Sequence, residues 1–314
     1  MVDREGAELA SAGLADVKIC CILNNKSGSG EGELKFDFKE LFARHGAIID
    51  IFTTREGQSL TDLAATAVDQ RYDIIVAGGG DGTISAVASV LVGHPEIRMG
   101  LLPLGTLNHF SRDLKIPADI SEAVEVICAG HSEPVDLGCV NDNYFLNNSS
   151  VGLYPAIVKL RESLQGGGYS KWWAAGLSAF RILSRFRRLD LEVDLPGQSV
   201  VRRKTALFFV GNNAYEMTPR GLGTRLALNR GTLWITMPTA SSRTGLVVNL
   251  MKLVFKRERP VDTLIFEATS LTVMSRKRLL TIANDGEVLR VVPPLRYHIL
   301  PKALNVIIPE PAHD

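Results

Sequence analysis

The densest concentration of chemically capable residues in this 314-residue chain is Gly78-Gly79-Gly80-Asp81-Gly82-Thr83, four glycines around one carboxylate and one hydroxyl. Glycines lack the β-carbon that would keep a phosphate away from the main chain, and N–H groups at the start of a following helix point at such a phosphate. A tight strand-to-helix turn explains the glycines alone but leaves Asp81 unexplained. A carboxylate beside a polyphosphate is repulsive unless a magnesium ion or a substrate proton lies between them. The set therefore points to a nucleotide-phosphate site and Mg-ATP chemistry, with Asp81 reaching the metal only through the ATP-bound ion. A second glycine turn, Asn24-Asn25-Lys26-Ser27-Gly28-Ser29-Gly30, offers Lys26 as a counter-charge and Ser27 as a donor. A third, Pro103-Leu104-Gly105-Thr106-Leu107-Asn108-His109-Phe110, adds Thr106 and Asn108; His109 suits a capping or exposed position as well as acid–base work. The chain has no Gly-x-x-x-x-Gly-Lys-Ser/Thr sequence, and no Gly-x-Gly-x-x-Gly follows its first strand, so neither common nucleotide motif accounts for the turns.

Each turn follows an apolar run that reads as a strand. Val17 to Leu23 leads into the Asn24 turn, Asp73 to Ala77 into the Gly78 turn, and Met99 to Pro103 into the Leu104 turn, with a further strand at Ala47 to Phe52. Between them, Glu33 to His45 and Leu60 to Asp69 read as helices. Ile84, Val87, Ala88 and Leu91 follow helical spacing after the glycine cluster. Alternating strands and helices predict a parallel sheet with helices on both faces, and such sheets place ligands at the ends of their strands.

From about Pro134 the pattern changes to strands separated by turns: Tyr144 to Leu146, Leu189 to Leu195, Ala206 to Val210, Thr232 to Met237 and Ser270 to Val273. This half reads as all-β. Asp285-Gly286 between Leu280-Thr281-Ile282 and Val288-Leu289 is a hairpin signal. Ala303 to Pro309 is a final strand whose domain periodicity leaves open. The expected division is a mobile leader 1–16, an α/β domain 17–134, a β-domain 135–295 and a C-terminal segment 296–314, for which a return to the first domain is one option.

Lys+Arg 35 against Asp+Glu 34 gives a net charge of +1, which removes any global electrostatic case for nucleic acid. Cys20, Cys21, Cys128 and Cys139 lack zinc-ligand spacing and read as buried thiols. The first 16 residues lack the basic-then-apolar pattern of a secretory signal, and no apolar run is long enough to span a bilayer. The expected location is cytoplasmic.

Taken together, these stretches resemble the diacylglycerol kinase catalytic family, which includes sphingosine kinases and bacterial lipid kinases. The matching stretches are the Asn24 to Gly30 and Gly78 to Thr83 turns, Leu104 to Asn108, Val135-Asp136-Leu137-Gly138 and Asp285-Gly286-Glu287, in the family's order. The resemblance implies a phosphofructokinase-like α/β nucleotide domain followed by an antiparallel β-sandwich, with the active site in the interdomain cleft. It also implies ATP contacts from Asn24, Asn25, Lys26, Ser27, Gly28, Thr54, Gly79, Gly80, Asp81, Gly82, Thr83 and Thr106. Asp285 and Glu287 then lie near the lipid hydroxyl, Glu287 as proton acceptor, with ATP and Mg2+ as cofactors. Phosphoryl transfer is mostly positioning and charge neutralisation, so these parts suffice chemically. Departures from the pattern are Asn25 where Pro is frequent, Ser85-Ala86 where Asn-Glu is frequent, and Asn229-Arg230-Gly231 in place of an Asp-Asp-Gly turn that holds an accessory magnesium. A neutral amide and a cation cannot replace two carboxylates around a hard dication, so that accessory site is expected to be missing.

The expected function is ATP-dependent phosphorylation of a lipid hydroxyl, that of diacylglycerol or a related alcohol. Two rival readings are a kinase of a soluble alcohol, in the manner of NAD kinases, and a non-catalytic lipid- or nucleotide-binding protein. Lys171 to Arg188 places Trp172, Trp173, Leu177, Phe180 and Leu183 on one helical stripe flanked by Arg181, Arg185 and Arg188. It suits either a helix packed on the sandwich or one touching an anionic membrane surface. A second basic cluster, Lys252, Lys256, Arg257 and Arg259, allows an extension of the same face.

Overall fold

The structure, a computed structural model, describes residues 17–24, 36–54, 58–152, 188–216, 224–225, 227–238 and 263–311. Asn25, Lys26, Ser27, Gly28, the stretch holding Trp172, Trp173, Arg181 and Arg185, and the cluster Lys252 to Arg259 lie outside the described residues. The chain divides into two compact units, one running to Val135 and resuming at Lys302, the other running from Asp136 to Pro301.

In the first unit, β1 (Ile19–Leu23), β2 (Ile49–Thr53), β3 (Ile74–Gly79) and β4 (Arg98–Pro103) form a parallel sheet in the order β2-β1-β3-β4. Every residue of β1 and β3 is buried, so both faces of the sheet are covered, which is why these strands read as unbroken apolar runs. β3 runs two residues beyond the apolar stretch, because Gly78 pairs in register with both Leu23 and Leu102. The helices are α1 (Phe38–Ala43), α2 (Leu60–Asp69), α3 (Asp81–Leu91), α4 (His109–Asp113) and α5 (Ile120–Ala129).

The expected helix from Glu33 is shorter among the described residues. Phe36 and Asp37 are not helical, and Asp37 accepts the Glu40 N–H as the N-cap of α1. α2 begins on a capping box in which Ser59 and Asp62 exchange hydrogen bonds. α5 ends on Gly130, whose φ of +73° suits a residue without a β-carbon. The buried Ile84, Val87, Ala88 and Leu91 of α3 form the stripe expected from their spacing.

The second unit is antiparallel. One sheet holds β8 (Leu189–Asp194), β9 (Val201–Thr205), β13 (Ser270–Ser275) and the first part of β16 (Leu295–Ile307). β5 (Ser132–Val140), which enters the unit at Asp136, pairs with β6 (Asn143–Phe145). The other sheet has the order β12-β11-β10-β7-β14-β15, comprising Thr263–Ala268, Leu233–Pro238, Leu207–Asn212, Asn148–Gly152, Leu280–Asn284 and Glu287–Val291. Their inner faces share one core that includes Leu191, Val193, Val273 and Tyr297 from the first sheet and Val151, Phe208, Ile235 and Ile282 from the second. In β8, buried Leu189, Leu191 and Val193 alternate with outward Asp190, Glu192 and Asp194, the two-residue period of a half-buried strand. The last part of β16 belongs to the first unit, where Asn305 and Val306 pair in parallel with Arg98 and Met99 of β4.

Candidate functional site

Parallel pairing sets the site of the first unit. Leu23 is in register with Thr53 and with Gly78, and Gly79 is in register with Pro103. Asn24, Thr54, Gly80 and Leu104 therefore follow side by side at the carboxyl ends of four neighbouring strands. The turns are tied to one another. The Asn24 N–H donates to the Gly78 carbonyl at 3.3 Å, its side-chain amide donates to the Thr83 hydroxyl at 3.2 Å, and the Leu104 N–H donates to the Gly79 carbonyl at 3.1 Å.

Two glycines allow a direct main-chain approach between turns. A β-carbon on Gly105 would lie 2.4 Å from the Gly80 Cα and 2.7 Å from the Asn108 carboxamide oxygen. Asn108 itself sits at φ +48° and closes its turn, accepting from the Gly105 N–H at 3.1 Å and donating to the Gly105 and Pro103 carbonyls at 2.9 and 3.1 Å. Asn108 is thus the staple of the third turn, while Thr106 and His109 are exposed.

The first intrahelical bond of α3 runs from the Ile84 N–H to the Gly80 carbonyl at 3.1 Å. The amides of Asp81, Gly82 and Thr83 precede that ladder, at the end of the helix that favours anions. Gly82 is exposed, Asp81 is half-buried with its carboxylate 3.5 Å from the Phe110 N–H, and Thr83 is buried with its hydroxyl turned to Asn24. Among the described residues, no group of three or more His, Cys, Asp or Glu gathers as a metal site. Among the described residues, Asp81 stands at the Gly78–Thr83 turn as a single carboxylate. Cys20 and Cys128 are buried thiols whose burial raises them to about 12, and burial raises Cys21 well above its ordinary range, so none of the three is suited to nucleophilic chemistry.

In the second unit, Asp285 and Gly286 form the two-residue turn between β14 and β15 with φ of +47° and +88°. Positive φ at both positions is the hairpin geometry that Asp-Gly favours. The Asp285 carboxylate accepts main-chain N–H groups from Leu146 at 2.6 Å, Asn147 at 2.8 Å and Asn148 at 3.0 Å. The Asp285 N–H returns a bond to the Asn148 carbonyl at 2.9 Å. Glu287 opens β15 and is exposed.

Asp136, fully buried, accepts from the Asn213 side chain at 3.1 Å and the Gly231 N–H at 2.6 Å. The Arg230 N–H donates to the Asn213 carboxamide oxygen at 3.0 Å. The Asn229-Arg230-Gly231 turn is therefore gripped through its amides by Asp136 and Asn213. Gly138 is required by packing, since a β-carbon there would lie 2.2 Å from the Phe145 ring. Sequence reading missed Arg225, Asn212, Asn213, Tyr215 and Asn147, which knit this region together; the adjacent amides Asn212-Asn213 closing an apolar strand are the one signal that flags part of it.

Residues 18–140 match the family described as Diacylglycerol kinase catalytic domain. Over that segment the chain is similar to diacylglycerol kinase catalytic domains. The Diacylglycerol kinase of Staphylococcus aureus strain JH9 is 32% identical over 190 residues, 55% of this chain, and the same figures hold for strain NCTC 8325 / PS 47. The chain spans 58% of the length of these curated relatives. Among solved structures, one from Bacillus anthracis str. Sterne matches with a TM-score of 0.73 and 24% identity, covering 93% of this chain and 97% of that one. A diacylglycerol kinase structure from the same organism gives 0.66 and 22% over the same shares. At these identities the structures establish a shared fold, an α/β unit and an antiparallel β unit. No helix among the described residues is long and apolar enough to cross a membrane.

Proposed function

We propose that the chain is an ATP-dependent lipid kinase that transfers the γ-phosphate to the hydroxyl of diacylglycerol or a related lipid alcohol. The observation that carries this reading is the convergence of Asn24, Thr54, Gly79 to Thr83 and Thr106 on the carboxyl ends of neighbouring parallel strands, within the segment that matches the kinase family. Glycine turns that touch main chain to main chain, backed by the α3 N-terminus, leave main-chain amides that a phosphate can approach. Asn25, Lys26, Ser27 and Gly28 continue that surface on sequence grounds. The nucleotide part is assigned to 17–134 and the lipid part to 135–295, with the C-terminal segment rejoining the first unit from Lys302.

A single carboxylate fits magnesium carried in by ATP, because such an ion takes most of its ligands from phosphate and water oxygens and needs one or two carboxylates. When bound, it neutralises charge on the transferring phosphoryl group. Asp81 orients that complex. In the transfer, the lipid hydroxyl oxygen forms its bond to the γ-phosphorus, the bond from phosphorus to the bridging oxygen breaks, and ADP leaves. The hydroxyl proton passes to Glu287, whose exposed position at the head of β15 leaves it accessible to a substrate. Asp285, with its carboxylate on three main-chain amides, fixes the turn that presents Glu287. Peripheral membrane contact through Trp172, Trp173, Arg181 and Arg185, at the cytoplasmic face, rests on the amphipathic pattern alone.

Incubating the purified protein with labelled ATP and a panel of lipid alcohols in vesicles, with NAD and glycerol as soluble alternatives, tests this reading. Label in a lipid supports it, and label only in a soluble acceptor replaces it with the NAD-kinase-like reading. ATP binding without transfer to anything sinks the catalytic claim.

A further inference from the structure

Among the described residues of the second unit, Arg225 is the one buried arginine, 8% exposed, and nothing in its sequence context marks it. A guanidinium withdrawn from water is costly unless its donors are met, so its partners identify what it does. One terminal nitrogen donates to the Leu146 carbonyl and the other to the Asn147 carboxamide oxygen at 3.0 Å. These are the residues whose N–H groups the Asp285 carboxylate receives. Arg225 and Asp285 therefore hold the same peptide from its two polar sides, the cation on C=O of Leu146 and the anion on N–H of Leu146 and Asn147.

The grip is reinforced locally. The Asn212 side-chain amide donates to the Leu146 carbonyl at 2.9 Å and to the Asp136 carbonyl at 2.8 Å, and the Tyr215 hydroxyl donates to the Asn147 carbonyl at 2.9 Å. Tyr215 and Arg225 face each other as an isolated β-bridge, which places the guanidinium and the phenol on one short ladder. The Asn284 side chain donates to the Tyr144 carbonyl at 2.7 Å, tying the end of β14 to the same segment. A main-chain stretch with no regular secondary structure at 146–147 is thus fixed mostly by side chains, with Asp285 of the turn among them and one main-chain bond from the Asn212 N–H to the Asn147 carbonyl at 2.9 Å.

We propose that Arg225 is a positioning residue for phosphoryl transfer: through the Leu146–Asn147 peptide it immobilises Asp285 and hence the turn that aims Glu287. The proposal rests on the kinase reading above for its catalytic consequence, while its structural half stands on the clamp alone. The planar two-donor fork is the essential feature, because Leu146 O and Asn147 Oδ1 are met by separate nitrogens of one rigid group. Lysine carries the charge but not the fork.

The experiment compares wild type, Arg225→Lys and Asn147→Ala, measuring kcat and KM for ATP at saturating lipid, melting temperature, and deuterium uptake of the 144–148 and 284–287 main chain. Misplacing a reacting group by an ångström costs about 100-fold in turnover, so kcat of Arg225→Lys should fall by that order. KM for ATP should stay within about twofold, since the lost interaction is outside nucleotide binding. Amide exchange at 144–148 should accelerate in both variants. Should Arg225→Lys fail to fold, Asn147→Ala decides, because it removes one acceptor while leaving the Leu146 contact. Unchanged kcat or unchanged exchange in the folded variants overturns the proposal. If the wild type phosphorylates no lipid, the kinase reading fails, and exchange still judges the clamp: faster exchange upholds it and wild-type protection overturns it.

Discussion

Replacing Gly105 by alanine probes the approach of the two glycine turns most sharply. The added β-carbon would lie 2.4 Å from the Gly80 Cα, whereas ordinary contact begins at 3.4 Å, so the turns must part by about 1 Å. The neighbour is main chain at the mouth of β3, with no side-chain rotation available to absorb the strain. Forcing atoms into a packed region in this way costs about 1–3 kcal/mol of stability. An ångström of displacement at a phosphate-positioning turn costs about 100-fold in turnover. The converse substitution is a built-in control. A β-carbon on Gly80 meets only the Gly105 Cα, at 3.4 Å, and Gly80 has φ of −86°, which any residue adopts. Glycine is preferred to alanine at a helix N-cap, so that exchange costs about 0.5–1 kcal/mol, without the main-chain displacement that the Gly105 change forces. Chemical denaturation, ATP titration calorimetry and steady-state turnover on both variants provide the assay. Wild-type stability and turnover in Gly105→Ala, or equal damage from Gly80→Ala, would refute the close-approach reasoning.

Asp81→Asn keeps the size of the side chain while removing its charge. Turnover should drop by about 100-fold or more, with melting temperature little changed; a variant with wild-type turnover removes Asp81 from the mechanism and favours a binding role. Asp285→Ala strands three main-chain N–H groups, and each unsatisfied buried amide costs about 1–3 kcal/mol, so unfolding should be easier by about 3 kcal/mol or more in urea. Asp285→Asn, which retains an acceptor and tolerates φ of +47°, should lose less. The buried Cys20 and Cys128 thiols are raised to about 12 from an ordinary 9.0, by burial in both cases and additionally by the Asp50 charge for Cys20. Above pH 9 the unfolded chain therefore releases protons that the folded chain retains, so stability falls as pH rises from 9 toward about 12. An aromatic disulfide reagent at pH 8 should leave Cys20, Cys21, Cys128 and Cys139 largely unmodified until denaturant is added; rapid modification in the native state contradicts this burial.

The α/β unit was legible because its signals are local. A buried parallel strand announces itself as an apolar run, and a glycine turn after it has few alternatives, so Ile19–Leu23, Ile74–Gly79 and Arg98–Pro103 fall where the runs place them. The Asp285-Gly286 hairpin was readable for the same reason, since the turn chemistry and both flanking strands lie within a dozen residues. Long-range side-chain to main-chain bonds carry no such mark. Asp285 lies 137 to 139 residues from its three amide partners, and Arg225 lies 78 and 79 residues from its two. Asn108 looked like a ligand contact because polar residues in glycine turns often are. Its carboxamide instead closes the turn, a role set by its left-handed backbone and invisible in composition. The start of α1 at Phe38 depended on which of several acidic residues caps it, and Asp37 does so through the Glu40 N–H.

Phosphate transfer from ATP to a lipid hydroxyl can be read by mass spectrometry of a lipid extract incubated with the purified chain and γ-labelled ATP. A lipid alcohol should gain one labelled phosphate with wild type and not with Asp81→Asn. A lipid pool that gains no label while ATP remains bound to the protein would contradict it.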